Sequence, residues 1–287
     1  VSSKSVKRIS CESGANAIAS RFSASAATYD GAARVQFETA GKLVDFLGAI
    51  PAPCNILDVG CGTGILTRML VEGFPEARVQ ALDIADNLLE IARVRFSDNK
   101  RVKCVRADAM SFKSTRKFQL IASSSSFHWM TPLEQLFANM RLLLAKDGLM
   151  AFAVMTRDTL EELHNSRARA VPSKASASRL PVAAELLKIL SASGFDVLRQ
   201  CEETTRVSYP TVTDFLYSIH SVGVTGGPVS SSGALLTRDE LGRLIDDYVR
   251  NYSDEIGGVF ASYHVLYAVC TASNPASMKP RKRKLRY

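Results

Sequence analysis

Gly60, Gly62 and Gly64 alternate with other residues in the stretch ILDVGCGTGILT at 56–67, directly after an apolar run that contains Asp58. Alternating glycines between an apolar run and a helix-like segment make a tight turn whose bare backbone can lie against a ligand. The dinucleotide fingerprint G-x-G-x-x-G sets its third glycine where helix and strand pack closely, and here that place holds Ile65. A pyrophosphate asks for free backbone N–H groups at a helix N-terminus. The tighter turn after Asp58 instead suits a ligand with an uncharged linker and a cationic or amine-bearing end, held by Asp58 directly or through water. Two further acids follow in order: Asp83, nineteen residues beyond Gly64, and Asp108 in the segment RVKCVRADAM. Each alone reads equally well as a strand-end carboxylate capping the next helix. An NAD-binding module is the rival reading of the glycines.

The elements around these residues alternate. The spacing of Val35, Leu43, Val44 and Leu47 predicts a helix within 31–50, broken by the PAP at 51–53. Short apolar runs predict strands at 55–60, 77–85, 101–110, 118–126 and 149–155. Helical patterns fall between them at 64–74, 85–99 and 131–148, the last stopping at Gly148. Strands alternating with helices predict a parallel, doubly wound α/β sheet with right-handed crossovers. Beyond residue 156 the expected order is helix 157–170, polar loop 171–181, helix 182–195 with Gly194 as its cap, strand 196–209, helices 211–222 and 237–253, and a last strand at 262–272. That makes a mostly parallel, seven-stranded, Rossmann-like sheet. The inserted helical lid, near 156–180 and 209–256, lies beside the strands' carboxyl ends. Residues 1–20 are expected to be a flexible segment, 21–272 the domain, and 273–287 a basic flexible tail.

Composition narrows the function. With 287 residues and 46% hydrophobic content the chain buries a substantial core, and no apolar run reaches bilayer length, so a soluble protein is expected. The first twenty residues hold bases but no apolar stretch of signal-peptide length, and a transit-peptide remnant is the lesser reading. Six scattered cysteines without a CxxC pair read as reduced thiols of a cytoplasmic protein, with no metal site. The net charge of +8 sits in the tail: the last nine residues, KPRKRKLRY, hold six bases and no acid, leaving 30 bases against 28 acids elsewhere. The tail reads as a solvated run, or as a contact for an acidic partner. Nucleic acid is not implied, because no aromatic-rich basic surface accompanies it.

The segment LDVGCGTG, with Asp83 and Asp108 in order behind it, resembles the first motifs of class I methyltransferases that use S-adenosylmethionine. The flanks RFSASAATYDGAARVQFETAGKLVDFL, SFHWM, GLMAFAVMTRDTLEELHNS, TRVSYPTVTDFLYSIHSVGVT and LTRDELGRLIDDYVRNY are similar to the malonyl-acyl-carrier-protein O-methyltransferases of biotin synthesis, over about residues 20–272. The resemblance implies S-adenosylmethionine as cofactor, with Asp58, Gly60, Gly62, Gly64, Asp83, Ile84, Asp108, Ala109 and Ser124 around it. Asp83 would accept both ribose hydroxyls, and Asp108 with the Ala109 backbone would receive the adenine amino group. It further implies a malonyl thioester on acyl carrier protein, or malonyl-CoA, as the acceptor. No membrane and no oligomer are expected.

Two departures stand out. Ser124 takes the place of the family's Asn after the fourth strand, and His220 replaces a lid lysine. Acceptor roles are assigned to Arg179, as a guanidinium grip on the carboxylate, and to Tyr29, as an aromatic folding over the methionine end. His128 is assigned to contact with the acceptor, or to a base if the acceptor were a phenol or amine. The plain readings beside these are a loop arginine in water, a packed tyrosine and a structural histidine. Arg21 is a weaker candidate. Trp129, His164, His220 and His264 read as packed or solvated. Bases at 157–179 (Arg157, Arg167, Arg169, Lys174, Arg179) offer a docking edge for an acidic carrier, against the simpler reading of solvated helix faces. A related family of respiratory complex I assembly factors with a methyltransferase-like fold and arginine hydroxylation is the runner-up. A methyltransferase for another small carboxylate or quinone precursor is the third reading.

Overall fold

The computed structural model describes residues 9–175, 178–224 and 235–273. The basic tail at 279–287 lies outside them, as do residues 1–8, and so do the side chains of 9–17 and of Arg21. The chain runs α1 (Ile9–Ala32), α2 (Arg34–Leu47), β1 (Asn55–Val59), α3 (Ile65–Gly73), β2 (Arg78–Asp83), α4 (Asp86–Arg95), β3 (Val102–Arg106), β4 (Phe118–Ser124), α5 (Leu133–Leu143), β5 (Leu144–Met155), α6 (Glu161–Ala170), α7 (Ala183–Ala192), β6 (Phe195–Tyr209), α8 (Val212–Ser221), α9 (Arg238–Tyr252) and β7 (Val259–Ala272).

The seven strands form one sheet in the order β3-β2-β1-β4-β5-β7-β6. β1 to β5 are parallel, and β7 runs antiparallel between β5 and β6. The doubly wound, mostly parallel α/β sheet read from the sequence is therefore the one observed. Its order reverses at β1/β4, so the carboxyl ends of those strands flank the crevice where open α/β sheets bind ligands. Both faces are covered. Val35, Ala40, Leu43 and Leu47 of α2 pack with Leu66 and Leu70 of α3 in one apolar layer. Leu136, Phe137 and Met140 of α5 join Leu186 and Leu190 of α7 in the other. Burial on both faces explains why β1 and β5 read as nearly continuous apolar runs.

Two boundaries differ from the sequence reading. α5 stops at Leu143, and Leu144 already pairs with Phe118 ahead of a register shift. A side chain at Gly148 would meet the Phe118 and Ala145 carbonyl oxygens, both at 3.0 Å, so this glycine admits a close backbone approach within β5 instead of ending a helix. α1 begins at Ile9, inside the stretch expected to be flexible.

Candidate functional site

The turn after β1 is closed by backbone bonds. The Gly60 and Cys61 N–H groups both donate to the Leu82 carbonyl, at 2.8 and 3.0 Å, and Gly64 N–H donates to Cys61 O at 2.8 Å. All three glycines have positive φ, from 54° to 88°. Two of them leave no room for a side chain. A Cβ at Gly60 would lie 1.8 Å from Ser126 Oγ, and one at Gly64 would lie 2.6 Å from the Phe96 ring. The turn is held against β2 by Asp83, whose Oδ2 accepts from Gly62 N–H at 2.7 Å while its Oδ1 accepts from Ala85 N–H at 2.8 Å. Each carboxylate oxygen has two lone pairs, so Asp83 keeps acceptor capacity for vicinal hydroxyls. Burial raises its pKa, opposed by these backbone bonds.

Asp58 is fully buried. Its Oδ2 accepts from the Thr67 hydroxyl at 2.5 Å, and its Oδ1 has no partner. Burial pushes its pKa up to about 7. An unpartnered buried carboxylate oxygen is costly unless a donor arrives. Ser124 Oγ and Ser125 Oγ, at the end of β4, and His128 Nδ1 are also buried without partners. These orphaned atoms collect beyond the carboxyl ends of β1 and β4. The set fits the adenosyl sulfonium implied by the sequence: spare acceptors for a charged amine at Asp58, for a ribose at Asp83, and a bare turn between them.

Past β3, Asp108 Oδ1 accepts from Met110 N–H at 2.9 Å, and its carbonyl accepts from Ser111 and Phe112. Ile84 sits between Asp83 and α4, where its own N–H also favours the ionised Asp83. Asn139 of α5 clamps this far wall by donating to Ala109 O at 2.7 Å and Phe112 O at 3.0 Å. Ser123, buried beside Ser124, donates to Val59 O at 2.9 Å and ties β4 to β1.

α1 crosses over the turn. Thr63 Oγ1 donates to Asp30 Oδ1 at 2.6 Å, and Arg95 pairs with Asp30 while donating to Thr63 O at 2.7 Å. Asn87 donates to Ser23 O, Thr28 donates to Ser221 O of α8, and Phe22 packs edge-on against Trp129 with 5.0 Å between ring centroids. Tyr29 is thereby held near Asp83, Asp30 and Cys61; burial and then the Asp83 and Asp30 charges raise its phenol above the ordinary value, so it stays protonated. His128 lies in a 3-10 turn, Phe127–Trp129, 3% exposed. Burial pushes its pKa down to about 3, which leaves it neutral.

Arg179 is exposed and makes no hydrogen bond or ion pair among the described residues. Its loop is nonetheless anchored at the carboxyl end of β5, where Arg157 N–H donates to Pro181 O at 3.1 Å and Leu180 is buried. The other bases of the expected docking edge are engaged inside the molecule. Arg169 pairs with Asp247, Lys174 with Glu240 at 2.6 Å, Arg157 with Glu185 at 3.9 Å, and Arg167 donates to Lys174 O. His264 Nδ1 meets Thr204 Oγ1 at 2.9 Å within the β6–β7 ladder; His164 lies on α6 and His220 on α8.

A narrow apolar cleft lies between α2, α8 and residues of β5–β7, lined by Gln36, Met155, Leu160, Ile219, Tyr209 and Tyr263 among others. The hydroxyls of Tyr209 and Tyr263 bond to each other at 2.9 Å. The free space is about 20 Å³, the room of a single water.

The sequence reading missed Asp30, Thr63, Thr67, Arg95 and Asn139. Only Thr67 carried a signal, one helical turn past the glycines on the face toward β1.

Comparison with known proteins gives a consistent result. Residues 56–148 match the family model described as a methyltransferase domain. The malonyl-acyl-carrier protein O-methyltransferase of Halalkalibacterium halodurans is 30% identical, covering 88% of this chain and 96% of its own. The enzyme of that name from Geobacter sulfurreducens is 32% identical, over 86% and 95%. Among solved structures, the YcgJ protein of Bacillus subtilis superposes with a TM-score of 0.57 at 12% identity, over 83% and 99% of the two chains. Phosphoethanolamine N-methyltransferase 2 of Haemonchus contortus, solved with S-adenosyl-L-methionine, does so at 0.54 and 15%, over 87% and 57%. Both structural likenesses speak for the fold alone.

Proposed function

We propose a carboxyl methylation from one premise: the chain belongs to the malonyl-acyl-carrier protein O-methyltransferase family. It is an S-adenosylmethionine-dependent O-methyltransferase that esterifies the free carboxylate of a malonyl thioester on acyl carrier protein, an early step toward the pimeloyl part of biotin. It works as a cytoplasmic monomer.

The observation that carries the choice of acceptor is the state of His128. A phenol or amine acceptor calls for a base at the methyl-transfer site. The imidazole at the end of β4 is buried and held at about 3, a poor proton acceptor. A malonyl carboxylate is already ionised at neutral pH and needs no base. Rate enhancement then rests on positioning and on removing water from the nucleophilic oxygen.

When bound, the cofactor supplies an electrophilic methyl group on a positively charged sulfur. Asp58 and the glycine turn hold its amine end, Asp83 its ribose, and the Asp108–Ala109 turn its adenine edge. Ser124 lines the same wall. Tyr29, protonated and pinned by Asp30, covers the methionine end. Arg179, unpaired in its anchored loop, grips one oxygen of the acceptor and leaves the other aimed at the methyl group. The cleft bearing Tyr209 and Tyr263 takes the acyl arm. A malonyl group exceeds the space of one water, so α8 or α1 shifts to admit it.

The test is incubation with methyl-labelled S-adenosylmethionine and malonyl carrier protein, with malonyl-CoA in a parallel arm. A base-labile methyl ester is expected; its absence, with cofactor binding measured in the same sample, refutes the reading. Growth of a biotin-requiring strain carrying this chain separates it from arginine hydroxylation, which predicts no growth without biotin.

A further inference from the structure

At the opposite edge of the sheet from the glycine turn, the amino ends of β2, β3 and β4 frame a second concavity. It has a volume of about 280 Å³ and holds five cationic side chains: Arg78, Lys100, Arg101, Lys103 and Arg116. Its remaining lining is Val79, Gln80 and Phe118, so no acid faces into it. Arg78, Lys100, Lys103 and Arg116 make no ion pair and no side-chain hydrogen bond among the described residues. That sets them apart from Arg93, Arg95, Arg157, Arg169 and Lys174, all of which are paired.

The backbone that presents these cations is fixed. Arg78 N–H donates to Cys54 O and Val79 N–H donates to Arg101 O, both at 2.9 Å. Val102 N–H closes the preceding turn on Asn99 O at 3.0 Å. Lys103 is paired in register with Gln80. The Arg101 guanidinium is oriented by the Phe74 and Ala77 carbonyls, at 3.3 and 3.2 Å. The cations thus converge from three rigid segments on one hollow.

Like charges held together without counter-charge repel one another and raise the local potential, which a bound anion relieves. Guanidinium forks and ammonium groups around one cavity match the several oxygens of a phosphoryl group. The concave shape favours a compact, densely charged ligand over the convex face of an acidic protein. We infer that the amino-edge cavity is an anion site for a phosphoryl-bearing small molecule, separate from the methyl-transfer site.

The experiment is titration calorimetry of the full chain with inorganic pyrophosphate at constant ionic strength, with adenosine triphosphate and coenzyme A in parallel arms to identify the source of the phosphoryl group. Saturable one-site binding is expected, weakened at least tenfold in Lys103→Gln/Arg116→Gln, while affinity for S-adenosylhomocysteine is unchanged. Lys100→Gln, at an exposed position, gives the same direction of change if the double variant fails to fold. Absence of saturable pyrophosphate heat, or equal affinity in wild type and variants, overturns the inference. So does capture of an acidic carrier protein that these variants abolish while pyrophosphate fails to bind.

Discussion

The half of the molecule proposed to hold the cofactor, β1 to β4 with α1 and α3 to α5, differs in kind from the half proposed to take the acceptor, β5 to β7 with α6 to α9. The first is built from short strands and turns whose polar atoms are left open: Asp58 Oδ1, Ser124 Oγ, Ser125 Oγ and His128 Nδ1. The second is apolar and aromatic, with Tyr209, Phe215, Tyr248, Tyr252 and Phe260 in a continuous chain of ring contacts. Its one deeply buried acid, Glu162, is closed off by Ser262, whose N–H donates to it at 3.0 Å and whose hydroxyl donates as well. Open buried polar atoms are thus concentrated in the first half, while the second keeps Asp254 Oδ2 open and is otherwise dominated by ring contacts. On the proposed reading, a fixed cofactor cradle is joined to an acceptor pocket that adapts.

The strongest way to break this division is Gly60→Ala. The added methyl falls on Ser126 at a backbone φ of +72°. With a strain of about 1–3 kcal/mol, affinity for S-adenosylhomocysteine measured by calorimetry is expected to fall about 10- to 100-fold, without loss of the folded circular-dichroism signal. If the variant binds normally, the cradle is not where the cofactor sits. Next comes Arg179→Ala. Losing a charge-assisted grip of roughly 1.5–3 kcal/mol lowers kcat/KM for the malonyl acceptor about 10- to 100-fold and leaves cofactor affinity within twofold. A parallel loss of both would place Arg179 in the cofactor half.

Asp58 supplies a test by pH. Its folded pKa of about 7 exceeds the ordinary carboxylate value, so the folded protein binds more protons than the unfolded chain between about pH 4 and 7. This group's contribution to stability therefore falls as pH rises through that window. A cationic ligand end favours ionised Asp58. Cofactor affinity accordingly rises from pH 5 to pH 8 with proton release on binding, and Asp58→Asn flattens the profile. A flat wild-type profile would remove Asp58 from the amine contact.

His128 works in the opposite sense, because a folded pKa of about 3 makes the folded state bind fewer protons than the unfolded chain. Its neutral burial costs stability as pH falls below about 6.5 toward 3. His128→Asn reduces that acid sensitivity in thermal melts, and methyl transfer at pH 7.5 changes less than threefold. A hundredfold loss would make it a base after all. The smallest effect belongs to Tyr263→Phe, which removes one hydroxyl bond worth about 1 kcal/mol and raises the acceptor KM a few-fold with cofactor binding untouched.

Legibility divides along the same line. The glycine turn with Asp58, Asp83 and Asp108 was readable as a candidate site because a turn and the strand ends around it are local events, written in adjacent residues and in order along the chain. The role of Asn139 was not legible: it sits on the apolar face of α5, and nothing nearby names the Ala109 and Phe112 carbonyls it reaches. The start of β5 was misplaced because the stretch RLLLAKDG continues the helical pattern of α5, while the pairing of Leu144 with Phe118 joins residues far apart along the chain. The anchoring of the later part of α1 was not legible either, because Phe22, Thr28 and Asp30 find their partners in the distant Trp129, Ser221 and Thr63. The ion pairs of the basic stretch at 157–179 were not legible for a similar reason, since Asp247, Glu240 and Glu185 are distant along the chain.

The hydroxyl bond from Thr63 to Asp30 joins α1 to the glycine turn, and Thr28 joins the same helix to Ser221 of α8. α8 in turn lines the apolar cleft through Ser218 and Ile219. One helix thus bridges the two regions, so a displacement of α1 would disturb both together.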